Sequence, residues 1–297
     1  MRSGFEKNKG IRYFTKRICC HDMIYFKPSI ALILFLFTTV VTAQQQLSDT
    51  THIDSLYAIT VKKQLNKLPV DNYKKRMYQN KDVTIPYRFL TPKDYDTTLK
   101  YPLVITFHNS SRIGTDNENQ LEPLARIWVR DTIYTTYKCF VLAPQFSRRS
   151  SNYTDTGNGL VAKPSDEVVL LLDLIRKIQQ EYPNIDRNRI YLVGYSMGAS
   201  TAQNLFSMNP DQFAALVSIA GVPDLSNTDK LVTKKIWLIH GEKDDENPYP
   251  GSEMLFRRLK GNKKLVFTSF PYLNHHNIMI PFLLTDAIPK WLFKKQH

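Results

Sequence analysis

Arg189-Ile190-Tyr191-Leu192-Val193-Gly194-Tyr195-Ser196-Met197-Gly198 decides how the rest of the chain is read. An apolar run rich in β-branched and aromatic residues predicts a strand. It closes on G-x-S-x-G, and Met197–Met208 follows with helical spacing. A serine between strand and helix must sit on a sharp turn above the sheet edge, and Gly194 and Gly198 relieve the crowding that such a turn creates. The helix that follows points the positive end of its dipole at the turn, where a developing oxyanion would be stabilised. Ser196 is therefore the candidate nucleophile, and the Met197 N–H a candidate oxyanion donor.

Outward from this turn, strands and helices alternate. Expected strands are Val83–Leu90, Leu103–His108, Cys139–Ala143, Ile190–Gly194, Ala215–Ile219, Ile236–His240 and Leu265–Phe270. Several are continuous apolar runs, as in central strands covered on both faces. Expected helices are Ser165–Gln180, Met197–Met208, Ser252–Leu259 and Ile280–Phe293. The pattern predicts an α/β fold, a mostly parallel central sheet flanked by helices, with ligands bound outside the carboxyl ends of the strands. Before it, Ile53–Leu68 carries apolar residues at helical spacing and predicts a docked helix, whereas the polar Gln44–Asp54 reads as a frayed start.

The chain has 297 residues and a formal net charge of +13. Residues 1–43 carry seven basic and two acidic side chains, and without them the net charge is +8. Ser29–Ala43 is a short apolar run after a basic stretch, ending Val41-Thr42-Ala43, which predicts an export signal cleaved before Gln44. It is short for a membrane span, so a periplasmic or extracellular protein without a stable span is expected. Met23 offers an alternative start. The expected organisation is a signal peptide over 1–43, a helical extension over 44–76 and a catalytic domain over 77–297. The basic surface comes with no nucleic-acid recognition motif, so no nucleic-acid partner is expected. Cys19 and Cys20 precede the apolar run. Cys139 alone follows it, inside a strand-like segment, and reads as a buried, inert thiol.

The segment Asn184–Gly198 resembles the nucleophile turn of α/β-hydrolases, and Pro210–Ala215 with Ile219-Ala220-Gly221 continues the likeness. More narrowly, the chain is similar to bacterial esterase-like members related to dienelactone hydrolases and prolyl oligopeptidases. This resemblance implies a Ser–acid–His triad in that chain order and no cofactor. Ile236–Asp245 resembles the family's H-G-x-x-D segment, which implies Asp244 as the acid, with Asp245 and Glu242 as alternatives and His240 structural. After the next strand comes Asn274-His275-His276-Asn277. The family's G-H-N or G-H-D pattern implies His276 as the base and puts His275 at the glycine position. Two adjacent histidines could also ligate a metal, but no further cluster has ligand spacing, so no metal is expected.

His108–Glu118 resembles the family's oxyanion loop, with Asn109 and Ser111 in place of glycines. The resemblance implies the Ser110 N–H as second oxyanion donor. The missing glycines raise a second possibility, a non-catalytic relative that binds a ligand or partner. Gln145, Tyr195 and Arg112 are expected at the substrate-binding rim. The loop 146–163, with Arg148, Arg149 and Tyr153, would either face a polar or anionic leaving group or be a simple solvated loop. Only about 40 residues separate the cleavage site from the first domain strand, too few for a propeller, and Gly221–Lys235 is too short for a cap. An accessible carboxylic ester, small or polysaccharide-linked, is thus the expected substrate, with a peptide as the alternative.

Overall fold

A computed structural model describes residues 44–80 and 83–294. The predicted export segment lies outside the described residues. Among those described, no helix is long and apolar enough to cross a membrane.

The strands are β1 (Gln45–Ser48), β2 (Lys74–Asn80), β3 (Val83–Leu90), β4 (Tyr101–Phe107), β5 (Phe140–Pro144), β6 (Ser151–Asp155), β7 (Leu160–Pro164), β8 (Ile185–Tyr195), β9 (Ala215–Ile219), β10 (Lys235–Gly241) and β11 (Leu265–Phe270). The helices are α1 (Ser55–Asn66), α2 (Pro123–Arg126), α3 (Asp131–Thr136), α4 (Asp166–Glu181), α5 (Met197–Met208), α6 (Thr228–Leu231), α7 (Tyr249–Arg258), α8 (Ile280–Leu283) and α9 (Ala287–Phe293). Nine strands form one sheet in the order β1-β11-β10-β9-β8-β4-β5-β3-β2, while β6 and β7 form a separate hairpin. From β1 to β5 the neighbours run parallel; β3 and β2 are antiparallel. The α/β architecture expected from the alternation is the one observed.

The two faces of the sheet follow the period-two alternation of the strands. Val104, Val141, Val193, Val217 and Ile239 pack on one face with α1, α2, α3, α8 and α9. Leu103, Ile105, Leu142, Leu192, Leu216 and Leu238 pack on the other with α4, α5, α6 and α7. Burial on both faces is what makes these strands read as unbroken apolar runs.

Four local expectations need correction. The polar segment after Gln44 is not frayed: β1 adds a parallel edge strand to β11, with Leu47 opposite Thr268. Its side chains are all exposed, so no apolar pattern marks it. The helix expected over Ile280–Phe293 is two short helices. Pro289 in the interior of a continuous helix would clash with the carbonyl four residues back, and the break at residues 284–286 moves it into the first turn of α9 instead. The loop after Pro144 contains the β6–β7 hairpin, and β2, rich in lysine and arginine, was not legible as an edge strand. Cys139 is buried, and burial pushes its thiol well above the ordinary range.

The turn between β8 and α5 is tightly confined. Ser196 has φ of 57° and ψ of −125°, a left-handed conformation that strains a non-glycine residue. A Cβ on Gly194 would lie 2.2 Å from the Gly198 oxygen, and one on Gly198 would lie 2.2 Å from the Phe107 oxygen. Both obstacles are backbone and cannot rotate away. Gly198→Ala is therefore expected to cost about 3 kcal/mol and to lower Tm by several degrees; thermal melts of the two proteins measure it.

Candidate active site

Four segments ending at one edge of the sheet build the site. The turn after β8 presents Ser196, the turn after β10 presents Asp244, the loop after β11 presents His275, and the loop after β4 carries Asn109–Arg112. His275 Nε2 lies 2.8 Å from Ser196 Oγ, and His275 Nδ1 lies 2.8 Å from Asp244 Oδ2. A carboxylate only accepts, so Nδ1 carries the proton and Nε2 is free to accept the serine hydroxyl's hydrogen.

This geometry replaces His276, expected from the sequence, with His275. The His275 side chain is 3% exposed and that of His276 is 72% exposed. The reason is the turn at Asn274. Its Oδ1 accepts from the His276 N–H at 3.1 Å, and its own N–H donates to Asn277 Oδ1 at 2.8 Å. The glycine position of the motif is thus held by Asn274, one residue earlier than the sequence reading placed it. The next side chain turns inward and the following one outward. Tyr195 Oη donates to the His275 carbonyl at 2.7 Å and anchors the loop to the turn that carries Ser196.

Asp244 is buried, whereas Asp245 and Glu242 are exposed. Burial alone would raise its carboxyl, but hydrogen bonds from His240, His275 and the Asn247 N–H outweigh it and hold the group well below the usual carboxylate range. His240 is fully buried. Its Nε2 lies 2.8 Å from the Asn247 carbonyl and 3.1 Å from Asp244 Oδ2, and its Nδ1 lies 2.7 Å from Ser252 Oγ. The carbonyl requires Nε2 to be the donor, so Nδ1 accepts from Ser252. His240 therefore props the acid from behind.

The oxyanion loop needs no glycine. Asn109 has φ of −75° and ψ of 173°, and no residue from 109 to 116 has positive φ. Asn109 Oδ1 accepts from the Ser111 N–H at 2.9 Å and its amide donates to Glu122. His108 Nδ1 donates to the Asn109 carbonyl at 2.8 Å, while its Nε2 accepts from the Phe146 N–H at 3.1 Å. Burial pushes His108 down to about 4, so it holds the loop as a neutral ring. Among the described residues, neither the Ser110 nor the Met197 N–H donates to a protein acceptor. Both residues adjoin Ser196 at the end of the sheet.

Of the expected rim residues, Tyr195 and Arg112 line the cleft beside Ser196, but Gln145 does not. Gln145 is fully buried. Its Oε1 accepts from the Asn117 N–H, and its Nε2 donates to Asp116 and the Arg112 carbonyl. It ties the oxyanion loop down from below. Arg149 stacks over Tyr153 at 4.7 Å and lines a second cleft at Ser196, whereas Arg148 turns toward Glu167. Sequence reasoning missed Lys62, Glu122 and Glu246, which also line the first cleft. Lys62 comes from a helix with no motif, and Glu122 reads as an ordinary acid preceding the Pro123 helix start. No group of three or more metal-ligating side chains occurs among the described residues.

Glu122 is buried, and burial pushes its carboxyl up to about 8, against the opposing pull of Arg112, Asn109 and Lys62. The protonated form is favoured in the folded state, so that stability is complete below the ordinary value near 4.5 and is lost as pH rises through about 8. Glu122→Gln removes the ionisation. Relative to the parent, it should gain roughly 3 kcal/mol between pH 5 and pH 8.5. Urea melts at both pH values test this; an unchanged difference would mean that Glu122 is already ionised at pH 5.

Residues 163–233 match the prolyl oligopeptidase family. A thermostable esterase of known structure is 31% identical over 75% of this chain and 63% of its own, with a TM-score of 0.68. The acylaminoacyl peptidase of Pyrococcus horikoshii is 16% identical over 77% of this chain and 43% of its own, with a TM-score of 0.54. Dipeptidyl peptidase 4 of Porphyromonas gingivalis is 15% identical over 76% and 36%, also at 0.54. The two peptidases share the fold. The chain spans less than two thirds of the length of each of these relatives. No curated protein matches the chain.

Proposed function

The chain belongs to the α/β-hydrolase superfamily, among its esterase-like and prolyl oligopeptidase-like members, and from that premise we propose that it is a serine hydrolase of carboxylic esters. The observation that carries this is the relay from Ser196 through His275 to Asp244, at 2.8 Å for each contact.

In this reading Ser196 Oγ attacks the ester carbonyl as His275 Nε2 removes its proton. Asp244, still ionised, holds the imidazole and stabilises the imidazolium. The tetrahedral oxyanion is held by the Met197 and Ser110 N–H groups. His275 then gives its proton to the leaving alcohol. The acyl-enzyme is released by a water that His275 activates, and no cofactor takes part. The likeness to an esterase at 31% identity favours esters; the prolyl oligopeptidase match over 163–233 is what favours a peptide instead. The missing loop glycines, which prompted the non-catalytic alternative, are accounted for by the extended backbone at Asn109. The basic, apolar and small-residue pattern of 1–43 supports export of the protein to the periplasm or beyond.

Turnover of 4-nitrophenyl butyrate tests the mechanism. Ser196→Ala and His275→Ala should each lose about a thousandfold or more in kcat, and His276→Ala less than about tenfold. A fluorophosphonate probe should label Ser196. Equal turnover by Ser196→Ala would eliminate serine catalysis, and a loss confined to His276→Ala would reassign the base. Faster cleavage of acyl-peptide amides than of any ester would favour the peptidase reading.

A further inference from the structure

Four arginines lie near the oxyanion loop, the N-terminal helix and their neighbours, and three donate to protein acceptors. Arg88 donates to the Asn117 and Tyr73 carbonyls and to Glu118. Arg126 donates to the carbonyls of Leu121, Asn66 and Leu68, and Arg130 to those of Leu283, Leu284 and Thr285. Arg112 is the exception. It is half-buried, its Nε is shielded from solvent, and among the described residues its guanidinium has no hydrogen-bond acceptor. Leaving a buried cationic donor without an acceptor is costly, and such orphans call for an explanation.

The surroundings of Arg112 supply one. It lines a cleft of about 240 Å³ that also contains Ser196, His275, Lys62 and Glu122. Lys62 Nζ is held over the cleft by the His276 carbonyl at 2.8 Å, and burial pulls its ammonium below the ordinary range. Glu122 cannot neutralise these cations while it stays protonated, and its one bonded oxygen is occupied by Asn109. Glu246 is the opposing charge. Its oxygens face the imidazoles of His275 and His276 at 3.4 and 3.3 Å. Arg112, Asn66 and Glu122 also line an adjoining groove, together with Glu118 and Arg126 and without Glu246.

We propose that this cleft is a carboxylate-binding subsite, in which the Arg112 guanidinium and the Lys62 ammonium hold an anionic group carried by the ester substrate. The planar fork of arginine suits a carboxylate, accepted bidentately. The assignment rests on the serine hydrolase reading above and narrows it to esters bearing a carboxylate near the scissile bond. The carboxylate can sit on either the acyl or the alcohol portion, and two substrate pairs distinguish these. The pair 4-nitrophenyl hemisuccinate and 4-nitrophenyl butyrate places it on the acyl side. The pair 4-acetoxybenzoate and 4-acetoxybenzamide places it on the alcohol side.

The measured quantity is the ratio of kcat/KM for the charged ester to that for its neutral partner, so losses common to both cancel. In the parent protein one pair should show a ratio of at least about ten, falling on the order of tenfold in Arg112→Gln and falling with added salt. Arg176→Gln removes the same charge from the exposed face of α4 and should keep the ratio. A ratio near one in both pairs, or one that survives Arg112→Gln, overturns the subsite while leaving the hydrolase reading intact. If none of the four esters turns over, the hydrolase reading falls, and calorimetry with monomethyl succinate decides the subsite alone. Binding to Ser196→Ala that weakens about tenfold on adding Arg112→Gln supports it; no binding, or equal binding, overturns it.

Discussion

The close approach of three backbone segments at the end of β8 is the constraint on which the site depends. Gly194 lies against Gly198, and Gly198 against the carbonyl of Phe107, with no room for a Cβ at either glycine. This contact locks the start of α5 onto the end of β4. It forces Ser196 into positive φ and lifts its hydroxyl clear of the sheet. The Ser196 N–H donates to the Ile219 carbonyl at 2.9 Å, and its own carbonyl accepts from Ala199 and Ser200. The strain at one residue is therefore held by bonds on both sides. The same approach brings the β4 loop, with Ser110, to Ser196. A third glycine repeats the device: a Cβ on Gly241 would lie 2.3 Å from the Leu273 carbonyl, so the acid-bearing turn and the histidine loop can meet only because that side chain is absent.

The polar groups around this contact form two braces with different electrostatics. Behind Asp244, His240, itself held by Ser252, and the Glu246 and Asn247 N–H groups supply donors that keep the carboxylate ionised in a buried setting. Beneath the oxyanion loop, Asn109, Glu122, Gln145 and neutral His108 fix the backbone without adding a full charge near neutral pH. In the proposed mechanism, one brace preserves a negative charge where an imidazolium would form, and the other avoids a negative charge where an oxyanion would form. The asymmetry follows the chemistry expected on each side of Ser196.

The sheet was legible in the sequence because its central strands are buried on both faces, and continuous apolar runs such as Ala215–Ile219 and Leu265–Phe270 have one plausible reading. The turn that carries Ser196 was legible because it requires particular small residues at fixed offsets. Elements that answer to neither rule were missed. β1 is wholly exposed and β2 mostly so, and both gain their place from backbone pairing, which carries no side-chain signature. The identity of the inward-facing histidine turned on a single register choice in the loop after β11. Asn274 substitutes for glycine by capping its own turn through its side chain, and a pattern keyed to glycine shifts by one residue when that happens. Gln145 was misplaced for a related reason. Its position after β5 puts it at the correct edge of the sheet, but position alone does not say that its amide is spent on the Asn117 backbone.

The residues that shape the cleft were hidden by distance along the chain. Lys62 belongs to α1 and reaches the histidine loop across the sheet edge, so the N-terminal helix contributes to the site and does more than cover one face of the sheet. α1 packs on α2 and α8, the two helices that flank the oxyanion and histidine loops. Its burial through Ala58, Val61 and Leu65 then has a second consequence beyond adding apolar contacts. It fixes a second cation in the cleft that Arg112 and Ser196 line. With the Glu122 carboxyl pushed up by burial to about 8, the cleft sets these two cations against Glu246. In the proposed carboxylate subsite, a negatively charged substrate group entering such a gradient would be drawn away from Glu246 before any chemistry begins.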